Sequence, residues 1–598
     1  MSNKHFVSRQ IQRLRNCGSV KGVARKVKQK IRQSKSMRCF GTASFPSEEK
    51  RRLQSETAFD KSIKISILVP LFNTPKVFLT EMIDSVINQT YGNWDLCLAD
   101  GSDEEHRLVG EICREYAEKD NRIVYKKLES NEGISGNTNR CFELATGDYI
   151  GLFDHDDILH PEVLFEYVKA INEKNADFLY CDEVTFKGSS INNMITANFK
   201  PDFAIDNLRA NNYICHFSCF KKDLLERMEL FRSEFDGSQD HDMILRITEK
   251  AENIVHIPRI LYYWRSHSGS VASNVYVKEY AIDAAIRAVT DHLNRCGYEG
   301  AKVCSTDEFP THYKIGYKIN GNPKISIIIP NMNHTSDLKR CIDSIRDKSS
   351  YDNFEIVIVE NNSTDKEIFE YYDELTKDSR VTVVRYEGEF NYSSVNNYGA
   401  EKASGDYYIL LNNDTEIITT DWIEQLLMYA QRSDVGAVGA KLLYEDGSIQ
   451  HAGVILGLGP DRVAGHIFYQ MPGSAIGYMG RLTYAQNLSA VTGACLMVSK
   501  KCFEEVGGLD ESFRVCLNDV DFCLKLREKG YLNVFTPFAK LYHYESKSRG
   551  FDESPEKQAR FQAETKLFKE KWGQVLEAGD PYYNPNLSLD YPDCRVKI

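Results

Sequence analysis

The feature that most constrains this fold is an internal repeat, because the second half of the chain restates the first half in the same order. Residues 65–70, Ile-Ser-Ile-Leu-Val-Pro, return as Ile-Ser-Ile-Ile-Ile-Pro at residues 325–330, an offset of 260. The Gly-Asp-Tyr of residues 147–149 returns at residues 405–407, an offset of 258. Repetition of several segments in order over this distance predicts two copies of one domain.

Each copy alternates apolar runs typical of buried strands with stretches typical of helices. In the first copy the predicted strands are 65–69, 94–99 and 122–126, and the predicted helices are 78–88 and 105–118. This alternation predicts an α/β fold in each copy, with a mostly parallel, doubly wound sheet. The predicted divisions of the chain are a basic arm and linker (1–62), a first domain (63–275), a helical connector (276–322), a second domain (323–552) and a C-terminal tail (553–598).

Both copies place polar side chains where a further predicted strand ends. The first copy reads Asp-His-Asp-Asp at residues 154–157, and the second reads Asn-Asn-Asp at residues 412–414. Ligands of open α/β sheets bind outside the carboxyl ends of the strands. Clustered carboxylates repel one another unless a cation or hydrogen bonds offset the charge, and hard divalent cations commonly bridge a carboxylate to substrate phosphates. The alternative is an acidic turn that caps the next helix; the repetition favours the ligand site.

Each copy continues with an Asp at the start of an apolar helix pattern and then a His beyond another strand. These residues are Asp240 and His267 in the first copy, and Asp519 and His543 in the second. For Asp240 the alternative role is a helix N-cap, and for His267 it is a hydrogen-bonded structural histidine. The second copy has extra length in the Gly-rich residues 451–480, which we predict to form a loop over its site.

Length and composition describe a protein of more than one domain. The chain has 598 residues, of which 42% are hydrophobic and 27% charged, as is typical of soluble globular proteins. No apolar run is long enough to predict a transmembrane helix, and the first residues lack the apolar core of a signal peptide. The 16 Cys residues show no paired CxxC spacing, which favours reduced thiols in the cytoplasm over disulfides or zinc.

Charge is spread unevenly along the chain. Residues 1–47 contain twelve Lys or Arg and no Asp or Glu, so a net charge of −12 leaves −24 on the remainder. Within this arm Val20, Val23, Val27 and Ile31 recur three and four residues apart, as on one face of a helix. The pattern predicts an interfacial helix that binds anionic lipid. A disordered tail and a nucleic-acid-binding arm are the alternatives.

Through these motifs the chain resembles family 2 of the glycosyltransferases, enzymes with the GT-A fold, over residues 63–273 and 323–550. The resemblance identifies Asp154 and Asp156 with the DxD motif, which holds a divalent cation, Mn²⁺ or Mg²⁺, against the diphosphate of a nucleotide-sugar. Asp156 is then the metal ligand and Asp154 a donor-binding residue. Asp240 matches the Asp of the ED motif, the general base.

The resemblance assigns roles to further positions in both copies. In the first copy Asp100 is similar to the residue that reads the nucleobase, Pro70 and Asn73 match the first-strand turn beside the nucleotide, and His267 matches a further metal ligand. The corresponding positions of the second copy are Pro330, Asn333, Glu360 and Asn412 for the donor, Asp414 and His543 for the metal, and Asp519 for the base. Asn412 and Glu360 depart from the pattern. The loss of one carboxylate weakens cation binding without abolishing it, because substrate phosphates also supply oxygens.

The resemblance implies a bifunctional, metal-dependent glycosyltransferase that inverts the anomeric carbon, because one base and a single displacement invert the configuration. Residues 390–393 and 543–550 resemble segments of bacterial surface-polysaccharide transferases, including O-antigen and rhamnan enzymes. The implied partners are nucleotide-diphospho-sugar donors and a glycan or lipid-linked glycan acceptor. The implied location is cytoplasmic, with the basic arm at the inner face of the cytoplasmic membrane and no nucleic acid involved.

Two other classes remain as alternatives. A sugar nucleotidyltransferase shares the acidic metal ligands but has a Gly-rich basic loop directly after its first strand, where residues 70–75 read Pro-Leu-Phe-Asn-Thr-Pro. A protein with one active domain, the second copy being a non-catalytic glycan-binding scaffold, has no need of a second base, yet both copies keep one. The donor sugar, nucleotide base, acceptor and linkage stay open.

Overall fold

Two mixed sheets with the same strand order form the centre of the protein, in a computed structural model that describes residues 45–267, 279–544 and 555–597. The predicted α/β class with two tandem domains is therefore confirmed. The predicted basic helix around residues 20–31 lies outside the described residues.

The first domain is a nine-stranded sheet with its helices. Its strands are β1 (Ile65–Leu71), β2 (Trp94–Asp100), β3 (Ile123–Lys127), β4 (Tyr149–Leu152), β5 (Ile158–Leu159), β6 (Phe178–Lys187), β7 (Met194–Asn198), β8 (Cys219–Lys221) and β9 (Ile254–Ser266). Its helices, counted from the one that precedes β1, are α1 (Glu48–Ser55), α2 (Lys76–Ile87), α3 (Leu108–Lys119), α4 (Gly133–Phe142), α5 (Val163–Lys174), α6 (Ile205–Ala210), α7 (Lys222–Glu226) and α8 (Gln239–Thr248).

The strands of the first sheet follow the order β3-β2-β1-β4-β8-β6-β9-β5, and β7 pairs with β6. Strands β3, β2, β1 and β4 are parallel, as the alternation of strands and helices predicts. Strand β8 is antiparallel to both of its neighbours, because the chain enters it from the edge at which β4 ends and pairs Cys219 with Gly151. Strands β1, β2 and β4 therefore all end at one edge of a mixed sheet, and the predicted site residues lie there.

The predicted helical connector contains one helix and one hairpin. Helix α9 spans Glu279–Arg295 and is followed by the antiparallel strands β10 (Lys302–Ser305) and β11 (Tyr313–Gly316). Alternate residues of β11, Tyr313 and Ile315, are buried, which is the period of a strand and not of a helix. The connector is thus helical only in its first part.

The second domain repeats the first with a ten-stranded sheet. Its strands are β12 (Ile325–Asn331), β13 (Phe354–Glu360), β14 (Val381–Arg385), β15 (Tyr407–Leu411), β16 (Thr415–Ile417), β17 (Val435–Leu443), β18 (Ile449–His451), β19 (Val454–Leu456), β20 (Ala464–His466), β21 (Gln486–Leu488), β22 (Cys495–Ser499) and β23 (Leu532–His543), of which β19 and β20 form a separate hairpin. Its helices are α10 (Thr335–Lys348), α11 (Lys366–Leu375), α12 (Tyr392–Lys402), α13 (Trp422–Ala430), α14 (Lys500–Glu505) and α15 (Asn518–Glu528), and α16 (Pro555–Ala578) follows.

The strand order of the second sheet is β14-β13-β12-β15-β22-β17-β23-β16. Each strand in this order has its counterpart at the same place in the first sheet. The register repeats as well, since Ile65 lies opposite Trp94 and Ile325 lies opposite Phe354. In both domains a serine one residue into the first strand accepts a hydrogen bond from a glycine amide, at 2.8 Å in each case. The sequence repeat is therefore a repeat of three-dimensional structure.

The described part of the predicted linker before β1 contains helix α1, so the interpretation of these residues as linker alone is wrong. The hydroxyl of Ser47 accepts a hydrogen bond from the amide of Lys50 and caps the helix. The side-chain amide of Gln54 donates to the carboxylate of Glu162, at 2.7 Å. A short polar helix of this kind gives little periodic signal, because docking onto the domain and not an apolar face stabilises it.

The stretch 451–480 is a folded insertion, and its prediction as a loop is wrong. It contains the hairpin of β19 and β20, and many of its apolar side chains, among them Ile455, Ile467 and Phe468, are fully buried. His451 is fully buried as well. The glycines that suggested a loop instead permit close packing: a side chain on Gly453 meets Leu488.

The predicted C-terminal tail belongs to the folded body of the protein. Trp572 of α16 donates a hydrogen bond from its indole nitrogen to Asp521 of α15, at 2.8 Å. Beyond α16, Asp580 accepts from the amide of Leu456 in the insertion, at 2.7 Å, and Asn584 contacts Asp182 of the first domain. The last described residues therefore connect the two domains.

The two domains share one continuous core. A single cluster of buried apolar side chains runs from the first sheet through Leu208 and Ile315 into the second sheet. The interface also carries a buried ion pair between Asp206 and Arg432, and Asn487 donates to the Asp206 carboxylate at 2.7 Å. Within the described residues, no helix has the length and apolar character needed to cross a membrane.

Candidate active sites

The first candidate site is built on the turn that follows β4 at the edge where the parallel strands end. Asp154, Asp156 and Asp157 all belong to this turn; Asp157 is fully buried, and the other two are partly exposed. The hydroxyl of Tyr262 donates to one Asp157 oxygen at 2.6 Å, and the amide of Arg265 donates to the other at 2.7 Å. Asp157 thus anchors the turn to β9 and positions the two more exposed carboxylates.

The strand-end turn is strongly acidic, and the pKa values reflect it. Burial, and then the neighbouring Asp156 and Asp154 carboxylates, raise the pKa of Asp157 well above its usual value. Burial acts in the same direction on Asp154, but its contact with His216 lowers the pKa of Asp154 below the usual value. Three carboxylates held this close favour a positive charge beside them, because it offsets their mutual repulsion.

The structure brings Asp156 and His267 together as the sequence predicts. The Nε2 atom of His267, directly after β9, lies 2.7 Å from Oδ2 of Asp156. The two residues are 111 positions apart in sequence, and they meet because β9 and the strand-end turn share one edge of the sheet. His267 also stacks at a tilt against Phe78 of α2, with ring centroids 5.3 Å apart.

Asp240, the predicted base, lies in the first turn of α8 and is half-buried. Gln239 donates a hydrogen bond to its Oδ2 atom, at 3.1 Å. Burial, and then the charge of Asp154, raise the pKa of Asp240 to about 6. This pKa is closer to neutral pH than that of an ordinary aspartate. The Asp240 carboxylate is therefore a stronger base and is better matched to taking up a proton.

The predicted nucleotide-binding residues of the first copy meet at the ends of β1 and β2. Asn73 has a left-handed backbone, with φ of 51°, and its amide donates to the hydroxyl of Ser102 at 2.9 Å. Asp100 is almost fully buried; it accepts from the amide of Ser102 at 2.8 Å and from the hydroxyl of Tyr125 at 2.9 Å. Pro70 is a buried residue of β1 and does not reach this surface.

The second candidate site repeats the carboxylate–histidine pair. Asp414 and His543 are both almost fully buried, and Nε2 of His543 lies 3.2 Å from Oδ1 of Asp414. The side-chain nitrogen of Asn412, which replaces the first Asp of the motif, lies 3.2 Å from the same histidine atom. The two sites therefore share a geometry but differ in charge at the position of Asn412.

Asp519, the predicted base of the second copy, lies in the first turn of α15. The amide of Gly493 donates to its Oδ2 atom at 2.9 Å, and the amide of Val520 donates to Oδ1 at 2.8 Å. Gly493 also accepts from the hydroxyl of Tyr392, at 2.8 Å. These hydrogen bonds hold the carboxylate at the start of the helix, whereas Asp240 of the first domain accepts its hydrogen bond from the side chain of Gln239.

The turn that follows the first strand of the second copy matches that of the first copy. Asn333 has φ of 54°, and its amide donates to the hydroxyl of Ser363 at 2.7 Å. Glu360 takes the place of Asp100; it accepts from the amide of Ser363 and from the hydroxyl of Tyr372, both at 2.6 Å. Pro330 again lies within the first strand. The longer Glu360 side chain keeps the contact with the serine amide, but its tyrosine partner comes from helix α11, whereas that of Asp100 comes from strand β3.

Sequence reasoning missed His216 in the first domain and His451 in the second. His216 stands in the segment Tyr-Ile-Cys-His-Phe-Ser-Cys-Phe that leads into β8, outside the motifs shared by the two copies, yet its Nε2 atom lies 3.5 Å from Oδ2 of Asp154. His451 belongs to the folded insertion; its Nδ1 atom lies 2.8 Å from Nδ1 of His466. Both histidines reach their neighbours only through long-range packing, so no local pattern could have marked them.

The residues of the first site fit a divalent cation. Asp154, Asp157 and His216 each offer a ligand atom, and these atoms lie within 4.8 Å of one another. Carboxylate oxygen and imidazole nitrogen are suitable ligands for a divalent ion of the Mn²⁺ type. The described residues of the second site hold no comparable group of three, although Asp414 and His543 remain together.

Sequence comparison relates both domains to one family. The chain matches glycosyl transferase family 2 over residues 66–228 and again over residues 326–507. Both matches begin in the first strand of a domain.

Two longer bacterial proteins are similar to most of the chain. An uncharacterized protein of Sinorhizobium fredii is 41% identical over 554 residues, which are 92% of this chain and 59% of that protein. The O-antigen biosynthesis protein RfbC of Myxococcus xanthus is 35% identical over 535 residues, 89% of this chain and 41% of that protein. The chain thus spans about half the length of these curated relatives. Among solved structures, a mannosyltransferase from Pyrobaculum calidifontis in complex with GDP-Man and Mn²⁺ is 15% identical, with a TM-score of 0.32 over 52% of this chain and 80% of that chain.

Proposed function

The chain belongs to glycosyl transferase family 2, and from this membership we propose that it carries two glycosyltransferase sites, one in each α/β domain. Each site transfers a sugar from a nucleotide-diphospho-sugar to a hydroxyl group of a growing bacterial surface polysaccharide. The observation that carries this proposal is the repeated pair of a strand-end carboxylate and a late histidine, Asp156 with His267 and Asp414 with His543. Packing alone does not require such a pair at the same edge of both sheets.

The donor nucleotide lies against the turns at Asn73 and Asn333. In each turn the side-chain oxygen of the asparagine accepts from a backbone amide of the neighbouring strand end, from Asp103 at 3.2 Å and from Thr364 at 2.8 Å. These contacts fix the asparagine backbone and leave Phe72 and Met332, the residues before each asparagine, exposed. An exposed apolar side chain at this edge provides a surface for a nucleobase.

Asp154, Asp156 and His267 hold a divalent cation in the first site, and Asp414 with His543 does so in the second. When bound, such an ion neutralises the charge that develops on the departing diphosphate. The three carboxylates of the first turn supply the negative charge that attracts it. Asn412 supplies an amide oxygen in place of a carboxylate, which gives the second site a lower charge.

Asp240 and Asp519 take the proton from the attacking hydroxyl of the acceptor. Each lies in the first turn of a helix beside its strand-end turn, and neither is bound in an ion pair within the described residues. A single displacement assisted by one base inverts the configuration of the transferred sugar. Because Asn412 and Glu360 change the surroundings of the second site, the two sites act on different donors, acceptors or linkages.

The acceptor is a lipid-linked glycan at the inner face of the cytoplasmic membrane. Two features support this part of the proposal: the relative from Myxococcus xanthus is named an O-antigen biosynthesis protein, and residues 1–47 carry twelve basic side chains. A basic segment of this kind is attracted to anionic lipid. The enzyme then works at the membrane surface.

Two observations favour a second candidate, in which only the first domain is catalytic. Asp519 uses both carboxylate oxygens in hydrogen bonds to backbone amides, and Asn412 lacks the charge of Asp154. In that case the second domain binds the glycan and does not extend it.

Two single variants test the proposal and separate the candidates. Asp240→Asn and Asp519→Asn keep the shape of each side chain but cannot accept the proton, so each variant should stall synthesis at a different intermediate. A mixture of the two variants should restore product. The exposed Asp223→Asn serves as the matched control and should leave synthesis unchanged. An unaltered product from Asp519→Asn makes the second domain a scaffold, and full activity in both variants overturns the proposal.

A further inference from the structure

A buried line of charged groups leads from the interior of the first domain to its strand-end turn. Nζ of Lys200 lies 3.0 Å from Oε2 of Glu183, and the same Glu183 oxygen lies 3.3 Å from Nδ1 of His216. On its other side, Nε2 of His216 lies 3.5 Å from Oδ2 of Asp154. Four residues from separate parts of the chain thus form one connected line that ends at the candidate cation site.

The interior end of this line is fixed rigidly. Lys200 is fully buried, and its ammonium group donates to the backbone carbonyls of Ile214 and His216, both at 2.6 Å, as well as to Glu183. Three donors and three acceptors satisfy the ammonium group completely. Lys200 therefore balances the charge of Glu183 and ties down the loop that carries His216.

The imidazole ring of His216 is held in a single orientation. It stacks on the ring of Tyr262 with centroids 4.5 Å apart and planes inclined by 6°, and Trp264 packs edge-on against it. The hydroxyl of Tyr262 donates to Asp157, so the same aromatic side chain fixes both the histidine and the strand-end turn. The His216 side chain is only 10% exposed.

We infer that His216 is a cation ligand of the first site and that Glu183 and Lys200 are its positioning residues; the inference rests on the proposed function. When Nδ1 carries the proton and donates it to Glu183, the lone pair of Nε2 lies on the side of Asp154. A carboxylate that orients a metal-binding histidine in this way is a recurrent arrangement, because it fixes the tautomer and raises the basicity of the ligand.

The second domain lacks this arrangement. Gly151 pairs with Cys219 in the first sheet, and the equivalent Ile409 pairs with Met497 in the second, so Ala494 takes the position of His216. By the same offset Asn412 takes the position of Asp154. Alanine offers no ligand atom, and a neutral amide holds a cation more weakly than a carboxylate does. The two sites therefore differ in cation affinity, and the first is the tighter.

Binding of Mn²⁺ to the full-length protein tests the inference without reference to catalysis. Electron paramagnetic resonance of free Mn²⁺ should resolve one tighter and one weaker site in the wild-type protein. His216→Ala should weaken the tighter site by more than about tenfold, and Glu183→Gln, which keeps the side-chain volume, by about 10- to 100-fold. Cys215→Ala is the matched control, since the Cys215 sulfur lies 3.4 Å from His216 Nε2 but a hard cation prefers oxygen and nitrogen ligands, and alanine adds no ligand atom. It should leave both affinities within about twofold.

The outcomes separate this inference from the proposed function. Unchanged Mn²⁺ affinity in a folded His216→Ala protein, checked by its thermal unfolding curve, overturns the role of His216 and leaves the proposed function intact. Equal losses in His216→Ala and Cys215→Ala also overturn it, because any change in the loop then suffices. Sugar transfer by a wild-type protein that binds no Mn²⁺ overturns metal dependence itself, and this inference with it.

Discussion

The side-chain amide of Asn584 donates to both carboxylate oxygens of Asp182, at 3.0 and 2.9 Å, although the two residues are 402 positions apart. Both side chains are buried, and Asn584 donates as well to the carbonyl of Lys200, at 2.9 Å. Asp182 also contacts Nε2 of His256, at 2.9 Å. The C-terminal segment, residues 579–597, therefore contacts the interior of the first domain beside Lys200, which holds the loop of His216.

Replacing Asn584 with Ala should destabilise the first domain. The change leaves the buried Asp182 carboxylate without the amide group that contacts both of its oxygens, which costs about 1–3 kcal/mol. Thermal unfolding followed by circular dichroism should show that the first unfolding transition occurs at a lower temperature. Lys597→Ala, an exposed change in the same segment, should leave the transition in place. Equal transition temperatures in the two variants contradict the proposal that Asn584 stabilises the first domain.

Asp156→Ala should abolish transfer by the first site without unfolding the protein. The carboxylate lies at a strand end and contacts His267 at 2.7 Å, so its removal takes away a ligand and not a core side chain. The measurement is sugar transfer with and without a chelator, in an Asp519→Asn background that isolates the first site. Residual transfer that the chelator does not affect contradicts the assignment of Asp156 to a cation.

Transfer by the first site should depend on pH through Asp240. Burial and the Asp154 charge raise the pKa of Asp240 to about 6, and a general base acts only when deprotonated. The rate should therefore be full above this pKa and fall as the pH drops through it. A pH–rate profile in the Asp519→Asn background checks this expectation. Asp240→Asn in the same background should lower turnover by about a hundredfold or more and remove the acidic limb.

Should the acidic limb persist in the Asp240→Asn protein, another group controls it. Donor affinity provides the second readout, since loss of a base leaves donor binding near normal. An equal loss of donor affinity places Asp240 in the nucleotide pocket instead.

Deletion of residues 1–38 should release the protein from membranes. The twelve basic side chains of this segment, which has no acidic residue, attract anionic lipid by about 1 kcal/mol for each residue near the surface. Sedimentation with vesicles that contain phosphatidylglycerol should recover the full-length protein but not the truncated one. Transfer to a soluble acceptor should stay intact. If the truncated protein still sediments, the membrane contact lies elsewhere in the chain.

The repeat made the fold readable from the sequence. Strands β1 and β12 are visible in the sequence as apolar runs separated by the repeat offset, and the strands beside them recur in the same way. Polar residues follow the ends of these strands. The family resemblance, and not the strand pattern, predicted that Asp156 and His267 would both be metal ligands, which implies that they lie together. The prediction of mostly parallel order failed at β8, since an apolar strand of three residues carries no sign of its direction.

Other features were hidden because their signals are short or polar. Helix α1 is stabilised by the cap of Ser47 and by the contact of Gln54 with Glu162. Because these contacts are polar, the sequence shows no apolar stripe that would predict the helix. The insertion at residues 451–480 looked like a loop because its glycines are also turn formers. In the structure Gly453 is required for close packing against Leu488.

The sequence by itself determined that there are two α/β domains and which acidic residues follow their strands. Hydrophobic periodicity is a local property of the sequence, and the repeat shows it in both copies. Only the tertiary structure decided which distant residues support those acids. Lys200, Glu183 and His216 come from three different segments, and Asn584 reaches Asp182 from the far end of the chain. A buried charge takes whichever partner folding places beside it, so its identity depends on packing and not on sequence pattern.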